Sequence, residues 1–527
     1  MRSLIRVVTA AESAARDDAA IAAGVPSRAL MQRAGAAAAA EIALRYRDRL
    51  SVGVLVLAGP GNNGGDGWVV ARALRDAGAR VRVVEPVEAK TPDARAERAL
   101  ARDAEDAAAP FADADALDRG EAVVVDALLG TGAGGAPRGT IAEAIGATQG
   151  MRARGAVMVA IDIPSGLDAT SGETPGVVVT ADLTLTFGSL KRGLLVNRGV
   201  CGTVAVLDIG LGSHASLDDG APSLVDESWV GEHVPLISAS AHKGDRKKLV
   251  IVGGASGMAG ASVLAARSAL RSGVGMVKLV VESESLPAVQ QQEPFALAAA
   301  WPTDDASVER DIAHWADAIV IGPGLGRSET SRAILVRVLE RWRGPVVLDA
   351  DAITMFEGRA ADLAALLGSR AALITPHPAE FSRISSHPLK EVLHRRFDIG
   401  AETASQLGAT VLLKGTPTIV TDPAGHRLVS AAGTPALATG GSGDVLSGIA
   451  GTLIAQLGDP FVAGAMAAWV HGRAAERVPG GARGGGRGIA LEDVITELRD
   501  SWTFDERPAR YPVLAELPSV GDAGATS

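Results

Sequence analysis

The stretch SVGVLVLAGPGNNGGDGWVVARALRDAG, residues 51–78, decides the fold of the first half of the chain. A short apolar run is followed by a glycine-rich turn and then by a segment with helical spacing. Similar strand-like runs follow at 79–86, 121–130, 155–164 and 181–188, and helical segments lie between several of them. Apolar strands that alternate with helices are typical of a parallel, doubly wound sheet covered on both faces.

A second series of strand-like runs occupies the later part of the chain. Its members are KKLVIVGG, GMVKLVVES, DAIVIGPG, PVVLDADA, AALITPHP, TVLLKG and PTIVTD. Helical segments at 260–272, 329–341 and 445–457 are interleaved with them, and residues 9–48 read as two further helices ahead of the first series. The sequence therefore predicts two different three-layer α/β/α domains in tandem.

The boundary between the two series is polar and rich in turn residues, in the stretch LGSHASLDDGAPSLVDES. We expect a first domain over 1–215, a linker over 216–232 and a second domain over 233–505. Residues 506–527 carry prolines and small residues, and we expect them to form a flexible tail.

Composition narrows the class of protein. The net charge of -10 and the 3% of aromatic residues argue against binding to nucleic acid or to an anionic membrane surface. No apolar stretch reaches the roughly 18 residues of a membrane helix, and the N-terminus lacks the apolar core of a signal peptide, so we expect a cytoplasmic protein. The single cysteine, Cys201, excludes an internal disulfide and reads as a buried filler. An anionic ligand would have to be held by local backbone donors and helix ends.

The glycine loop at 57–67 satisfies the pattern G-x-G-x-x-G through Gly59, Gly61 and Gly64, and Glu85 ends the next strand about 20 residues on. Asp66, however, stands at the start of the helix, where it would repel a pyrophosphate. Neighbouring asparagines supply carbonyl acceptors as well as amide donors. The loop therefore favours a cation or a hydroxylated ligand over a bare phosphate.

Two later strand ends supply matching chemistry. Asp126 ends one strand ahead of the glycine loop 130–135, and Asp162 ends the next, with Ser165 three residues later. Since the carboxyl ends of parallel strands share one edge of a sheet, Asn63, Asp126, Asp162 and Ser165 are expected to converge on one site. Each of these residues, taken alone, could instead be a turn-capping residue.

The second series carries glycine turns, carboxylates and one lysine at its strand ends. The candidates are Gly260, Ala261, the turn 321–328, Asp349, Asp351, His377, Glu380, Lys414, Thr416, Thr418 and Asp444. In ATGGSGDVLSG, residues 438–448, glycines precede Asp444 at a helix start, an arrangement that fits an anion hole with a general base. A purely structural role is also open for several of these candidates. Gly260 and Ala261 could serve packing, His377 could be structural, Asp349 and Asp351 could cap a turn, and Lys414 could be a solvated loop residue.

The motifs LMQRAG, GPGNNGGDG, DALLGTG and DIPSGLDA resemble those of the NAD(P)H-hydrate epimerase domain, a Rossmann-like fold, over about residues 5–215. By position, the resemblance implies that K⁺ is bound by Asn63, Asp126 and Ser165, and that Asp162 is catalytic. The implied hydrate-binding residues are Asn62, Asn63, Gly64, Gly65, Asp66, Gly130, Thr131, Gly132, Ala133, Gly134, Gly135, Ala136 and Asp162.

The second series is similar to the ADP-dependent NAD(P)H-hydrate dehydratase branch of the ribokinase-like superfamily, over about residues 235–503. The resemblance implies nucleotide binding by Lys414, Gly415, Thr416, Pro417, Thr418 and Gly443. It implies hydrate binding by Ala261, Gly326, His377 and Asp444, with Asp444 as the catalytic base. Mg²⁺ is expected with ADP as phosphoryl donor and AMP as a product, and a homo-oligomeric assembly is expected.

The family pattern is not followed everywhere: Ile353–Thr354 replaces a leucine–asparagine pair, and Thr434 stands where asparagine is common. Three functions remain open from the residues. The first is a bifunctional repair enzyme acting on NADHX and NADPHX, the hydrated dinucleotides. The second is a vitamin-type small-molecule kinase with an accessory domain, which leaves Asp126 and Asp162 without a role. The third is a non-enzymatic scaffold, which is expected to have lost those acidic strand ends.

Overall fold

The computed structural model of the protein describes residues 4–102, 109–110, 117–212, 214, 220–480, 486–504 and 510–520. They divide into two compact units. The first contains the described residues up to Ala221 together with 510–520, and the second runs from Pro222 to Phe504. In the described part of the chain, no helix is both long and apolar enough to cross a membrane.

The first unit is built around an eight-stranded sheet. Its strands and those of a small two-stranded sheet are β1 (Val7–Val8), β2 (Val54–Ala58), β3 (Val81–Glu85), β4 (Ala109–Pro110), β5 (Val123–Ala127), β6 (Val157–Ile161), β7 (Leu183–Phe187), β8 (Leu190–Lys191), β9 (Thr203–Leu207) and the last strand of the chain, β20 (Val513–Leu517). Its helices are α1 (Ala10–Ala22), α2 (Ser27–Arg45), α3 (Asn62–Asp76), α4 (Pro92–Arg102), α5 (Gly139–Ala153) and α6 (Arg192–Val196).

The strand order in this sheet is β20-β9-β7-β6-β5-β2-β3-β4, and every pairing is parallel except that of β20 with β9. From β2 the chain moves outward through β3 to β4, then returns to β5 and moves outward in the other direction. The order therefore reverses between β2 and β5, and the crevice outside the carboxyl ends of these strands is the expected ligand position.

The second unit contains a ten-stranded sheet. Its strands are β10 (Ser223–Val225), β11 (Lys248–Val252), β12 (Met276–Val281), β13 (Leu297–Ala300), β14 (Ala318–Ile321), β15 (Val346–Leu348), β16 (Ala372–Ile374), β17 (Thr410–Leu413), β18 (Thr418–Thr421) and β19 (Arg427–Ser430). Its helices are α7 (Glu227–His233), α8 (Ala259–Arg271), α9 (Leu286–Gln292), α10 (Asp305–Val308), α11 (Glu329–Arg341), α12 (Asp351–Thr354), α13 (Ala360–Leu367), α14 (Pro378–Ser385), α15 (Leu389–His394), α16 (Gly400–Leu407), α17 (Ser442–Leu457), α18 (Pro460–Arg477) and α19 (Leu491–Glu497).

The order is β10-β19-β18-β17-β16-β15-β14-β11-β12-β13, with antiparallel pairings only at β17–β18 and β18–β19 among the described strands. The direction of travel reverses between β11 and β14. As in the first unit, the carboxyl ends on either side of that point face one crevice.

Each sheet has an apolar core on both faces. In β2, Val54 and Val56 belong to one buried cluster while Leu55 and Leu57 belong to another. The strand β11 divides its side chains between two clusters in the same alternating way. Because successive side chains of a strand point to opposite faces, both sheets are covered on both sides, and the predicted three-layer α/β/α architecture is confirmed.

The structure differs from the predicted linker and tail. Ser223–Val225 pairs with β19, and Glu227–His233 is a helix capped by Asp226, so residues assigned to the linker belong to the second unit. Val513–Leu517 pairs with β9, so the flexible tail is not the right description of 510–520. In VLAEL the first, third and fifth residues are buried, because they face the apolar cover of the sheet. The remaining residues of the predicted tail lie outside the described part.

Candidate active sites

The carboxyl ends of β2, β5 and β6 open into a cleft of about 570 Å³ in the first unit. Many of the hydrate-binding residues predicted from the sequence line it. They are Asn62, Asn63, Asp66, Gly130, Thr131, Gly132, Ala133 and Asp162. The convergence expected from the parallel sheet is therefore present for both glycine loops and for the acidic end of β6.

Asp126 and Ser165 form a buried pair at the base of these loops. The Ser165 hydroxyl donates to Asp126 Oδ1 at 2.6 Å, and the Ser165 backbone N–H donates to Oδ2 at 2.8 Å. Burial raises the pKa of Asp126 to about 6, against the lowering effect of the hydrogen bonds from Ser165 and Leu128. Neutralisation by a cation would stabilise this carboxylate.

Asn63 joins the same group through Leu129. Its Nδ2 donates to the Leu129 carbonyl at 3.0 Å, while the Leu129 N–H donates to Ser165 Oγ at 2.8 Å. Asn63 Oδ1 is buried and has no hydrogen-bond partner among the described residues. A buried acceptor without a donor costs about 1–3 kcal/mol, and a bound cation would remove that cost. Oxygen atoms of an amide, a hydroxyl and a carboxylate suit K⁺.

Gly64 and Gly65 pack so closely against their neighbours that neither position has room for a side chain. A Cβ at Gly64 would lie 1.9 Å from the Gly59 carbonyl oxygen, and one at Gly65 would lie 2.5 Å from Met31 Sδ. Both residues are buried and allow α3 to approach the loop and α2. Gly135 borders a smaller hollow of about 20 Å³, and neither cavity is lined by Gly134 or Ala136 in the described structure.

Asp162 follows β6 in the left-handed region, with φ of 66°. Such a conformation is unfavourable for a residue with a Cβ, and it occurs preferentially at functional sites. Its N–H donates to the Leu185 carbonyl at 2.7 Å, and its Oδ1 forms an ion pair of 2.7 Å with Lys191 Nζ. Lys191 is buried, and no sequence motif predicted it.

Four carboxyl groups besides Asp162 line the cleft: Asp17 and Asp18 on α1, Asp66 on α3 and Asp93 on α4. Burial raises the pKa of Asp17, and burial together with the charges of Asp162 and Asp17 raises the pKa of Asp66 well above its usual range. Lys191 acts in the opposite direction on both. The cleft therefore brings together groups able to give and to take a proton.

In the second unit, Asp349 at the end of β15 is the centre of a buried polar network. Its Oδ1 accepts from Lys414 Nζ at 2.8 Å and from Thr375 Oγ1 at 2.7 Å, and its Oδ2 accepts from Ser447 Oγ at 2.5 Å. Burial would raise the pKa of Asp349, but the charge of Lys414 and these hydrogen bonds lower it. Burial lowers the pKa of Lys414, but the charges of Asp349 and Glu380 outweigh this effect, so the pKa of Lys414 is raised.

Asp444 lies in the first turn of α17, beside this network. Burial and the charge of Asp349 raise the pKa of Asp444 to about 7, while Lys414 lowers it. A carboxyl with a pKa near neutrality is suited to act as a general base. Gly443 precedes it, and a Cβ there would lie 3.2 Å from Lys414 Nζ. The glycine therefore leaves the helix N-terminus open next to a cation.

His377 caps α14. Its Nδ1 accepts from the Ala379 and Glu380 N–H groups at 3.2 and 3.3 Å, and Glu380 accepts from the His377 N–H at 2.8 Å. Burial lowers the pKa of His377. Glu380 also lies 3.9 Å from Lys414 Nζ. His377 is therefore a helix-capping residue. Its ring is half-exposed, and its contact with the hydrate stays a prediction.

The loop 414–418 connects β17 to β18. A Cβ at Gly415 would lie 2.1 Å from Arg396 Nη2, so the guanidinium packs directly on the loop backbone. Arg396 Nη1 donates to the Thr416 carbonyl at 2.5 Å, and the Thr416–Pro417 peptide is cis. Thr418 Oγ1 donates to the Gly415 carbonyl at 3.0 Å.

Ala261 and Gly326 border the turns after β11 and β14. The Ala261 Cβ lies 3.1 Å from where a Cβ of Gly324 would stand, and the Gly326 N–H donates to Asp351 Oδ2 at 2.9 Å. Asp351 therefore fixes the turn 321–328. At the positions that depart from the family pattern, Thr354 Oγ1 donates to the Ala350 carbonyl at 3.2 Å, and Thr434 Oγ1 is buried without a partner in the described structure.

The residues of these sites that were not predicted from the sequence include Asp17, Lys191, Thr375, Arg396 and Ser447. A lone lysine or hydroxyl carries no spacing signal. No group of three or more His, Cys, Asp or Glu residues in the described structure is arranged to hold a metal ion. Cys201 is buried as expected, and burial raises the pKa of its thiol to about 12.

Comparison with known proteins gives two family matches. Residues 27–193 match the family described as YjeF-related protein N-terminus, and residues 249–493 match the family described as NAD(P)H-hydrate dehydratase.

Relatives match along most of the chain. The bifunctional NAD(P)H-hydrate repair enzyme Nnr of Escherichia coli K12 is 36% identical over 476 residues, which cover 89% of this chain and 88% of the relative. The enzyme of the same name from Hyperthermus butylicus is 37% identical over 469 residues, covering 86% and 84%. A solved structure of the ADP/ATP-dependent NAD(P)H-hydrate dehydratase from Bacillus subtilis, co-crystallised with ATP and Mg²⁺, is 28% identical and covers 53% of this chain and 96% of its own, with a TM-score of 0.45.

Proposed function

The chain belongs to the family of bifunctional NAD(P)H-hydrate repair enzymes, and we propose that its two units repair hydrated nicotinamide dinucleotides in two steps. The first unit interconverts the R and S hydrates, and the second dehydrates the S hydrate to NAD(P)H with ADP as phosphoryl donor. One observation carries the proposal: each unit holds a carboxyl group beside the carboxyl ends of its parallel strands, Asp162 after β6 in the first and Asp444 in the first turn of α17, near Asp349, in the second. An accessory or scaffold module would not need the first.

Epimerisation requires that the hydrated carbon C6 lose and regain its configuration. In our proposal, Asp162 takes the proton of the C6 hydroxyl as the bond between C6 and the ring nitrogen N1 breaks. The electron pair of that bond goes to N1, which takes up a proton, and C6 becomes an aldehyde. Closure from the other face reverses these transfers and gives the other epimer. The protonatable carboxyls Asp17 and Asp66 line the same cleft, where proton exchange is needed.

We propose that Asn63, Asp126 and Ser165 hold K⁺. The support is the buried Oδ1 of Asn63, which has no partner in the described structure, and the buried carboxylate of Asp126, to which Asn63 is linked through Leu129 and Ser165. The bound cation would supply positive charge that stabilises this carboxylate and the loop above it. Leu129 connects Asn63 to Ser165 and is followed by the loop 130–133. The Ala133 N–H donates to the Gly130 carbonyl within this loop, and the N–H groups of Gly130, Thr131 and Gly132 are suited to a phosphate of the dinucleotide.

Dehydration is proposed to begin with a phosphoryl transfer. Asp444 removes the proton of the C6 hydroxyl while the hydroxyl oxygen attacks the terminal phosphoryl group of ADP, and AMP leaves. The C6–O bond of the phosphorylated hydrate then breaks, a proton is lost from C5, and the C5=C6 double bond of NAD(P)H forms. Phosphate is a far better leaving group than hydroxide, which is the chemical reason for phosphorylating the C6 hydroxyl before elimination. A general base of this kind contributes about 10²–10⁴-fold to the rate.

Nucleotide binding is proposed for the loop 414–418 and Gly443, because the Lys414 ammonium group and the open N-terminus of α17 lie together beside Asp444. Ala261, Gly326 and His377 are the proposed contacts of the hydrate in this unit. Mg²⁺ would be held chiefly by the nucleotide phosphates, as is usual for this ion at sites of phosphoryl transfer.

The proposal is tested by repair of a mixture of R and S hydrates. The full-length protein is incubated with NADHX or NADPHX and either ADP or ATP, in buffer with K⁺ and Mg²⁺, and the absorbance at 340 nm is followed. Complete regain is expected with ADP. No regain with either nucleotide would refute the proposed function.

Two variants separate the units. Asp444→Asn is expected to abolish regain altogether. Asp162→Asn is expected to repair the S fraction at the normal rate and to leave the R fraction at the uncatalysed rate of epimerisation. If Asp162→Asn repairs both fractions equally fast, the first unit has another role.

A further inference from the structure

Lys191 is the one cationic side chain among the described residues that line the cleft of the first unit. The acidic residues of the same wall are Asp17, Asp18, Asp66, Asp93 and Asp162. A dinucleotide brings two phosphate groups, and a lone lysine would ordinarily be assigned to one of them. The contacts of the Lys191 ammonium group argue against a role in binding phosphate.

The ammonium group of Lys191 uses all its hydrogen atoms within the protein. Nζ lies 2.7 Å from Asp162 Oδ1, donates to Thr186 Oγ1 at 3.0 Å and donates to the Phe187 carbonyl at 3.2 Å. An ammonium has three N–H donors and no acceptor. Lys191 therefore has no free donor for a substrate phosphate and is a poor source of the proton that N1 must receive.

The backbone on both sides holds this contact in place. Lys191 ends β8, which pairs with β1 in the register Val8 to Lys191. Thr186 belongs to β7 and is fully buried, and its hydroxyl lies 3.4 Å from Asp162 Oδ1 as well. Asp162 itself keeps its left-handed conformation through the hydrogen bond to Leu185. Lys191 Nζ and Thr186 Oγ1 thus both contact Asp162 Oδ1, and they are hydrogen-bonded to each other.

The other oxygen of the carboxylate, Asp162 Oδ2, accepts no hydrogen bond from the described residues, although Asp162 lines the cleft. We propose that Lys191 is the positioning residue of the epimerase site: it fixes Oδ1 of Asp162 so that Oδ2 is the oxygen that exchanges a proton with the hydrate. This rests on the proposed epimerase function of the first unit. Lys191 acts through Asp162 and does not itself touch the hydrate.

Lys191 also sets the charge balance of the site. The charged groups around Asp162 are Asp17, with its neighbours Arg16 and Asp18 on α1, and Asp66 on α3. Without Lys191, the remaining carboxyls would favour the protonated form of one another. The loss of the lysine is therefore expected to move the acidic limb of the epimerase pH profile to higher pH.

A double-mutant cycle tests this role. Lys191→Met, Asp162→Asn and the double variant are compared with the wild type for conversion of the R hydrate, with excess Asp162→Asn protein added as the source of dehydratase. We expect Lys191→Met to lower kcat about 100-fold and to leave KM within about threefold, because general-base catalysis is worth 10²–10⁴-fold. The double variant should be no more than about twofold slower than Asp162→Asn.

Two results would overturn the proposal. A KM that rises tenfold at unchanged kcat would place Lys191 on the substrate phosphate. A further tenfold loss of kcat in the double variant would give Lys191 an independent catalytic role. The wild-type rate is measured first, because a wild-type chain that does not convert the R hydrate refutes the proposed function and not the role of Lys191 alone.

Folding is controlled within the same chain. Each variant must dehydrate the S hydrate at the wild-type rate and keep the circular dichroism spectrum of the wild type. Lys90→Met, which removes the other lysine of the first unit, an exposed one, should change neither kcat nor the pH profile. If Lys191→Met does not fold, Lys191→Arg serves instead: it keeps the charge but cannot reproduce the three contacts. We expect it to lose about tenfold in kcat at an unchanged pH profile, and full kcat would refute the need for positioning.

Discussion

Replacing Asp444 by asparagine should make the second unit more stable at pH 8 while it abolishes dehydration. In the folded chain, burial and the charge of Asp349 raise the pKa of Asp444 from 3.8 to about 7. The folded state therefore binds the proton more tightly than the unfolded state does. The contribution of Asp444 to stability is largest while this carboxyl is protonated in both states, below about pH 3.8, and it falls as the pH rises towards 7.

The size of the effect follows from the same shift. One pKa unit corresponds to 1.36 kcal/mol, so the rise from 3.8 to about 7 sets an upper bound of about 4 kcal/mol for the stability lost above pH 7. Relaxation and water entry around an ionised carboxylate reduce this, and we expect a gain of about 1–3 kcal/mol from the substitution at pH 8. That corresponds to a Tm increase of about 2–8 °C.

Thermal unfolding followed by tryptophan fluorescence measures this gain, because six of the seven tryptophans lie in the second unit, at 229, 301, 315, 342, 469 and 502. The Tm difference between Asp444→Asn and wild type should be large at pH 8 and should shrink towards pH 5. Asp362→Asn, an exposed aspartate in the first turn of α13, is the matched control and should show no such pH dependence. If Asp444→Asn gains nothing at pH 8, the carboxylate is not destabilised by its surroundings, and the physical basis for its role as base is lost.

Three further outcomes are expected. The dehydratase kcat/KM of the wild type, at saturating nucleotide, should fall about tenfold per unit below pH 7, since Asp444 must be deprotonated; a flat profile down to pH 5.5 would contradict this. Asn63→Leu should remove the response of epimerisation to KCl at constant ionic strength while dehydration stays normal, and an unchanged response would refute the K⁺ ligand assignment. Gly64→Ala should lower the Tm of the first unit by several degrees in circular dichroism, because its Cβ would lie 1.9 Å from the Gly59 carbonyl oxygen; Gly61→Ala has open space and should melt like the wild type.

The parts of the sites that could be predicted from sequence are those that follow a strand. Asn63, Asp126 and Ser165 each stand just beyond or at the end of an apolar, β-branched run, and the parallel sheet alone brings such positions together. The signal for Asp444 was a different one, the glycines that precede it at the start of a helix.

The residues that were missed depend on contacts between distant parts of the chain. Lys191 stands in GSLKRG, which has the composition of a surface turn, and it is buried only because β1 pairs with β8 and Thr186 lies beside it. Ser447 reaches Asp349 from inside α17, a position with no local signal. Similarly, the strand at 513–517 shows its alternating burial only against β9, since its five residues are followed by a proline and small residues typical of a loop.

That last strand changes how the two units are connected. Because the first unit takes its edge strand from beyond residue 510, the whole of the second unit is an insertion within the first. During synthesis the ribosome delivers β20 last, so the sheet of the first unit is completed only after the second unit has emerged. A chain cut after Ala221 would leave β9 as an unpaired edge, open to pairing with other chains. Separating the two activities by truncation is thus expected to yield an aggregation-prone first unit, whereas point substitutions leave both units whole.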